Sequence, residues 1–236
     1  MSKVNAARLK GFVPETSFAM AVTSKNGKTA QAKKNLNEGA QKLSPLDLSL
    51  SSSLADVQNV VEGCTRCALC ESRTQIVFGE GNPKPEILFV GEAPGAHEDA
   101  AGRPFVGPGG VLLDKMIEAM GLKRSAVYLL NAVKCSPPEN RKPTLEEIAN
   151  CAPILAAQIR ILSPQVIIAL GTTASQTLLK TAEPLGKLRG RVHAIHGTKL
   201  VATFHPSYLI RNQALKKDAW EDLKSAKKII DNDFKQ

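Results

Sequence analysis

No run in this sequence approaches the roughly 18–20 uninterrupted apolar residues that a membrane-spanning helix requires. The mildly apolar stretch from Phe12 to Val22 is broken by Pro14, Glu15 and Ser17, so a secretory signal core is missing as well. The chain is expected to be soluble and not secreted, with no membrane partner. Acidic residues are scarce at the N-terminus, where residues 1–42 hold eight Lys and Arg against only Glu15 and Glu38. An organelle transit peptide would share that excess; the expectation here is a cytoplasmic protein with a solvated basic extension, able to act as an electrostatic arm toward phosphates. An even cysteine count is missing too. Five cysteines without a signal peptide argue against a disulfide framework and for metal or redox chemistry in a reduced compartment. The Gly-Lys-Ser/Thr of a nucleoside triphosphate loop does not occur, and Gly79-Glu80-Gly81 lies ahead of the first strand, in the wrong place for a dinucleotide fingerprint. Only Glu98 and Asp99 stand close together among the carboxylates near the strand ends, which is too little for a magnesium-dependent nuclease. No internal repeat is visible.

What is present is enough apolar content, 43% of 236 residues, to bury one good core. Most of the net charge of +9 lies in the N-terminal extension. A Ser- and Leu-rich linker follows, and the domain boundary is placed near residue 55, giving a basic tail and linker over residues 1–54 and one catalytic domain over 55–236. Within that domain Ile87–Val90, Val127–Val133, Val166–Leu170 and Lys199–Phe204 read as buried strands. Before, between and after them, helical spacing marks Leu54–Val61, Gly110–Met120, Thr144–Leu162, the stretch from Gly171 to Lys180, and Lys216–Ile230. Thr144 and Glu147 form a capping box, and Gly186–Arg191 reads as a loop. Strict alternation predicts an α/β fold, three layers (α/β/α) with a central parallel sheet.

In such sheets ligands bind beyond the carboxyl ends of the strands. Those exits hold Gly91-Glu92-Ala93-Pro94-Gly95, Asn131, Gly171-Thr172-Thr173 and His205-Pro206-Ser207. A lone Asn or His there is more often a satisfied structural group than a catalyst, but four polar or Gly-rich groups converging on one edge favour a site. Pro206 should hold His205 extended. Separately, Cys64 and Cys67 have the two-residue spacer that lets two thiolates bind one centre, and distant cysteines would complete four ligands. Thiolate chemistry alone does not separate zinc from an iron–sulfur cluster, and one cysteine is left over, most simply Cys70 as a packing residue.

These motifs in order, Gly91 to Gly95 with Glu98-Asp99, Arg103-Pro104-Phe105-Val106-Gly107, Asn131-Ala132-Val133-Lys134-Cys135 and His205 to Arg211, resemble family 4 of the uracil-DNA glycosylases. The resemblance runs from about Gly63 to Ile230. It implies a monofunctional enzyme that flips uracil out of single- or double-stranded DNA and hydrolyses its N-glycosidic bond, working as a monomer. It also implies a [4Fe–4S] cluster on Cys64, Cys67, Cys135 and Cys151, with Ser136–Arg141 as a DNA-facing loop. By the same resemblance Asn131 reads uracil's edge, Phe105 stacks on the ring and the backbone at Gly91, Glu92 and Ala93 cradles it. Glu98 excludes thymine's methyl, His205 faces uracil O2, and Leu209, Ile210 and Arg211 enter the minor groove. The aspartate that activates water in better-known relatives is replaced by Ala93, leaving Glu92 as a candidate. The covalent uracil-trapping branch has a basic, His-containing insertion after the second strand, which is absent here. A non-catalytic, damage-sensing DNA-binding protein of the same fold is the rival expectation.

Overall fold

The computed structural model describes residues 46–233, so the basic extension of residues 1–42 lies outside the described residues. Helix α1 (Leu54–Val61) opens on a capping box between Ser53 and Asp56. After α2 (Leu69–Ser72) and the two-residue strand β1 (Glu80–Gly81) comes β2 (Ile87–Gly91), with all five residues buried. Helices α3 (Ala96–Ala101) and α4 (Pro108–Ala119) lead to β3 (Tyr128–Asn131). Helix α5 (Leu145–Leu162) carries the expected Thr144–Glu147 capping box and runs to the fully buried β4 (Val166–Leu170). Helices α6 (Gly171–Leu179) and α7 (Leu185–Leu188), strands β5 (Val192–Ile195) and β6 (Thr198–Thr203), and helices α8 (Pro206–Arg211) and α9 (Lys216–Asp233) complete the described chain.

The sheet order is β1-β3-β2-β4-β6-β5. The four central strands are parallel, as the alternation predicts, but both edge strands pair antiparallel. Strand β5 is a correction to the sequence reading, which ran a loop over Gly186–Arg191 and began no strand until residue 199. Its residues alternate between exposed and half-buried, so the run lacks the apolar continuity that marks an inner strand. It is a hairpin arm instead, joined to β6 through His196 and Gly197, both at positive φ (46° and 83°), the turn geometry that matches strand twist.

Alternating residues of the strands feed two cores. Ile87, Phe89, Leu129, Ile168 and Val201 face α4 and α9, whereas Leu88, Val90, Leu130, Ile167 and Leu200 face α5 and α6, which makes the three layers. A third cluster seats α1 and Leu48 on α5, close to Cys135 and Cys151. Arg160 of α5 donates to the carbonyls of Leu48 (2.9 Å) and Ser51 (2.7 Å), so the packed chain starts some residues before 55. From β2 the chain leaves toward the α4 face and from β4 toward the α6 face, and the crevice between such diverging connections is where α/β sheets bind ligands.

Candidate active site and cysteine cavity

A cleft of about 290 Å³ opens at this crevice, lined among others by Glu92, Ala93, Glu98, Phe105, Asn131 and His205, a size suited to a small planar ligand. Gly91, the last residue of β2, lies beside two of the lining residues, Asn131 and Phe105. A Cβ there would overlap both Asn131 Oδ1 and the Phe105 ring, so only glycine leaves room for both side chains. Asn131, the last residue of β3, is 2% exposed, and its Oδ1 is buried without a hydrogen-bond partner. Such an acceptor costs about 1–3 kcal/mol if nothing ever pairs with it.

His205 caps α8 in the extended conformation that Pro206 was expected to impose (φ −68°, ψ 137°). Its Nδ1 accepts the backbone N–H of Ser207 at 3.2 Å. An imidazole that accepts through Nδ1 is neutral and carries its proton on Nε2. Burial favours the same state, lowering the group to about 4, with the charge of Glu98 pulling weakly the other way. The ring lies 6.2 Å from that of Phe105, centroid to centroid, at an interplanar angle of 29°. Gly171, at φ 88°, brings β4 within close reach of His205.

The two carboxylates of the cleft have different partners. Glu92 accepts from the hydroxyl of Thr173 across the β2–β4 crevice. Glu98 is committed to backbone: Oε2 accepts from Gly95 N–H (3.0 Å), and Oε1 from Val106 (3.0 Å) and Gly107 (2.8 Å). It staples the loop after β2 to the loop that carries Phe105, while still lining the cleft.

The three residues assigned to the minor groove do not share one environment. Leu209 is 1% exposed and faces the core, so it is corrected from a DNA-facing to a packing residue, because α8 turns it inward. Ile210 (41% exposed), Arg211 and Tyr208 (45%) face outward. The loop 136–141 reaches the cleft through Pro137, Asn140 and Arg141.

Cys64, Cys67, Cys135 and Cys151 line a second, small cavity, and Cys70 does not. Three basic residues that spacing could not reveal, Arg66, Arg73 and Lys134, line it with them. Arg73 Nη1 donates to Cys135 Sγ at 3.3 Å, Arg66 Nε is buried without a partner, and Lys134, 1% exposed, donates to the Asn131 carbonyl at 2.7 Å. Burial pushes the Cys151 thiol up to about 12, opposed by Lys134, and raises Cys67 and Cys135. Protons must therefore leave for a metal centre to form. Basic side chains beside four cysteines, two buried and two half-buried, suit an anionic thiolate-held centre. Among the described residues no three His, Cys, Asp or Glu side chains converge closely enough to hold one metal ion. Four cysteines with basic side chains beside them are the donor chemistry that an iron–sulfur cluster uses, so the residues present fit that group.

The cleft sits at the carboxyl edge of the parallel strands, lined by a neutral imidazole and by an amide whose oxygen is unpaired. A profile of the uracil DNA glycosylase superfamily matches residues 78–224, and the chain belongs to that superfamily. Its branch follows from individual relatives. A type-4 uracil-DNA glycosylase of Thermotoga maritima is 46% identical over 74% of this chain and 93% of its own length. One of Saccharolobus solfataricus is 40% identical over 74% and 85%. A type-5 uracil-DNA glycosylase of Pyrobaculum aerophilum is 33% identical over 55% and 64%. The chain is a member of the type-4 family.

Proposed function

We propose that this protein excises uracil from DNA as a monofunctional glycosylase, hydrolysing the N-glycosidic bond of a flipped nucleotide and leaving an abasic site. The observation that carries the reading is the orphaned Oδ1 of Asn131 at the bottom of the cleft. Uracil offers N3–H to that acceptor and O4 to the amide N–H₂, whereas cytosine presents the reverse pattern. Phe105 stacks on the base, and the backbone at Gly91, Glu92 and Ala93 cradles it. Glu98, fixed by three backbone N–H groups, limits the room beside the base and excludes thymine's methyl.

Cleavage leaves negative charge on uracil O2 and positive charge on the sugar. His205, neutral with its proton on Nε2, is the donor for O2; a fixed donor of this kind contributes on the order of 10²-fold or more in rate. Glu92, held by Thr173, orients water or faces the oxocarbenium ion. Ile210 and Arg211 meet the DNA beside the flipped nucleotide. Cys64, Cys67, Cys135 and Cys151 hold a [4Fe–4S] cluster, which supplies no chemistry to the base and ties the segment before β2 to α5. A thiolate-held cluster suits a reducing, cytoplasmic compartment, and the protein works on DNA as a monomer.

Incubation with a uracil-containing oligonucleotide, single- or double-stranded, is expected to release free uracil and leave a site cleaved only after alkali. Tight binding without release would favour a damage sensor, and strand cutting without alkali a nuclease.

A further inference from the structure

Phe105 sits with its backbone in the left-handed region, at φ 53°, where a bulky side chain is a true outlier. Such a conformation persists only when its surroundings over-determine it. The determinant is Arg124, in the 3₁₀ turn Arg124–Ala126 that precedes β3. All five of its guanidinium N–H groups are used. Nη1 donates to the Phe105 carbonyl (3.1 Å) and Asp114 Oδ1 (2.8 Å), and Nη2 to the Pro104 carbonyl (2.6 Å) and Glu80 Oε1 (2.7 Å). Nε donates to Glu80 Oε1 at 3.1 Å.

The carbonyls of Pro104 and Phe105 belong to the two peptide planes that flank the Phe105 Cα. Because peptide units are planar, pinning both oxygens on one rigid guanidinium fixes φ and ψ of Phe105 together. Glu98 holds the far side of the second plane through Val106 N–H. On the inner side Gly110 lies so close that a Cβ would overlap the Phe105 carbonyl, which leaves the loop nowhere to relax. Glu80 braces the arrangement by accepting Arg103 Nε (2.7 Å) with its other oxygen. Burial alone would raise Glu80, but hydrogen bonds from Arg103 and Arg124 outweigh it and keep the carboxyl below its usual range. Arg124 itself does not line the cleft.

We propose that Arg124 is a positioning residue for base recognition, acting through Phe105 by locking the backbone that aims the stacking ring. This rests on the reading of Phe105 as the platform for uracil. The test is a double-mutant cycle with Arg124→Lys, which keeps the charge but loses the planar fork, in the parental and Phe105→Ala chains. Single-turnover excision and affinity for DNA carrying an uncleavable uracil nucleotide are read for each, with thermal midpoints alongside. A ¹⁹F resonance from 4-fluorophenylalanine at position 105 reports the ring directly.

Arg124→Lys is expected to weaken binding about tenfold in the parent and less than about twofold once Phe105 is Ala, the non-additivity of residues that act as one unit. Its ¹⁹F line should broaden or split. Equal losses in both backgrounds, or an unchanged line, would overturn the proposal and leave Arg124 a stability residue only. If Phe105→Ala binds uracil DNA as the parent does while the line still broadens in Arg124→Lys, the stacking reading fails and the positioning of Phe105 by Arg124 stands.

Discussion

Asn131 and His205 face one cleft, and the proposed function gives them different parts of the problem. Replacing Asn131 by Ala removes the buried amide, so affinity and rate should fall together. Asn131→Asp should be equally damaging for uracil at neutral pH, since a carboxylate repels O4, yet it should gain trace activity on cytosine by accepting from the amino group. His205→Ala should lower single-turnover excision on the order of 10²-fold while affinity for uncleavable uracil DNA stays within about twofold, the pattern of a group used mainly in the transition state. The pH dependence has a definite sign. Burial depresses His205 to about 4 from its ordinary value, so the unfolded chain binds the extra proton first as pH falls. The stability of the neutral, α8-capping form is complete above the unfolded value and is lost as pH drops toward about 4. Unfolding free energies measured across that window should fall less steeply in His205→Ala than in the parent. An identical slope would mean that His205 is not held neutral by the fold.

Elements, rather than single side chains, set the distances in the cleft. Strand β2 ends on Gly91 because β3 delivers Asn131 opposite it in parallel register and the Phe105 loop crosses in front. Gly91→Ala should therefore fold, losing at most a few kcal/mol to overpacking, but abolish measurable uracil excision by pushing Asn131 and Phe105 apart. Near-parental excision would show that the wall can yield. Helix α5 has a comparable reach. Glu147 closes the capping box by accepting Thr144 N–H at 2.7 Å, and it grips Arg141 through two oxygens at 2.9 and 2.6 Å. The helix start thus holds a residue of the cleft wall. Glu147→Gln should cost about 1 kcal/mol in stability from the weakened cap and weaken DNA binding through the loosened Arg141, measurable by denaturant unfolding and by titration with labelled DNA.

For the whole molecule the cysteine cavity is the joint between α1, α5 and the β3 exit. Lys134 runs from that cavity to the Asn131 carbonyl, so the end of β3 and the cysteines share one buried support. Purified under reducing, anaerobic conditions, the protein should be brown, with broad absorption near about 400 nm. Cys151→Ser should lose that absorption and several degrees of thermal midpoint, whereas Cys70→Ser, outside the cavity, should keep both. Colourless protein with one zinc per chain would overturn the cluster assignment.

The sequence by itself determined the α/β layering, because buried parallel strands and capped amphipathic helices are local patterns of apolar spacing. It also determined which four chain segments meet at the carboxyl edge and which cysteines have ligand spacing, since ordered motifs survive without coordinates. Strand β5 was not legible, as an edge strand buries too little to need a continuous apolar run. Leu209 was misassigned because its neighbours in the motif face solvent, and only the rotation of α8 turns it inward. The partners of Glu92 and Glu98, the cations beside the cysteines and the grip of Arg124 on Phe105 were decided by tertiary structure alone. Each joins residues far apart in the chain, and no periodicity or spacing encodes a hydrogen bond that exists only after the sheet has brought its strands into register.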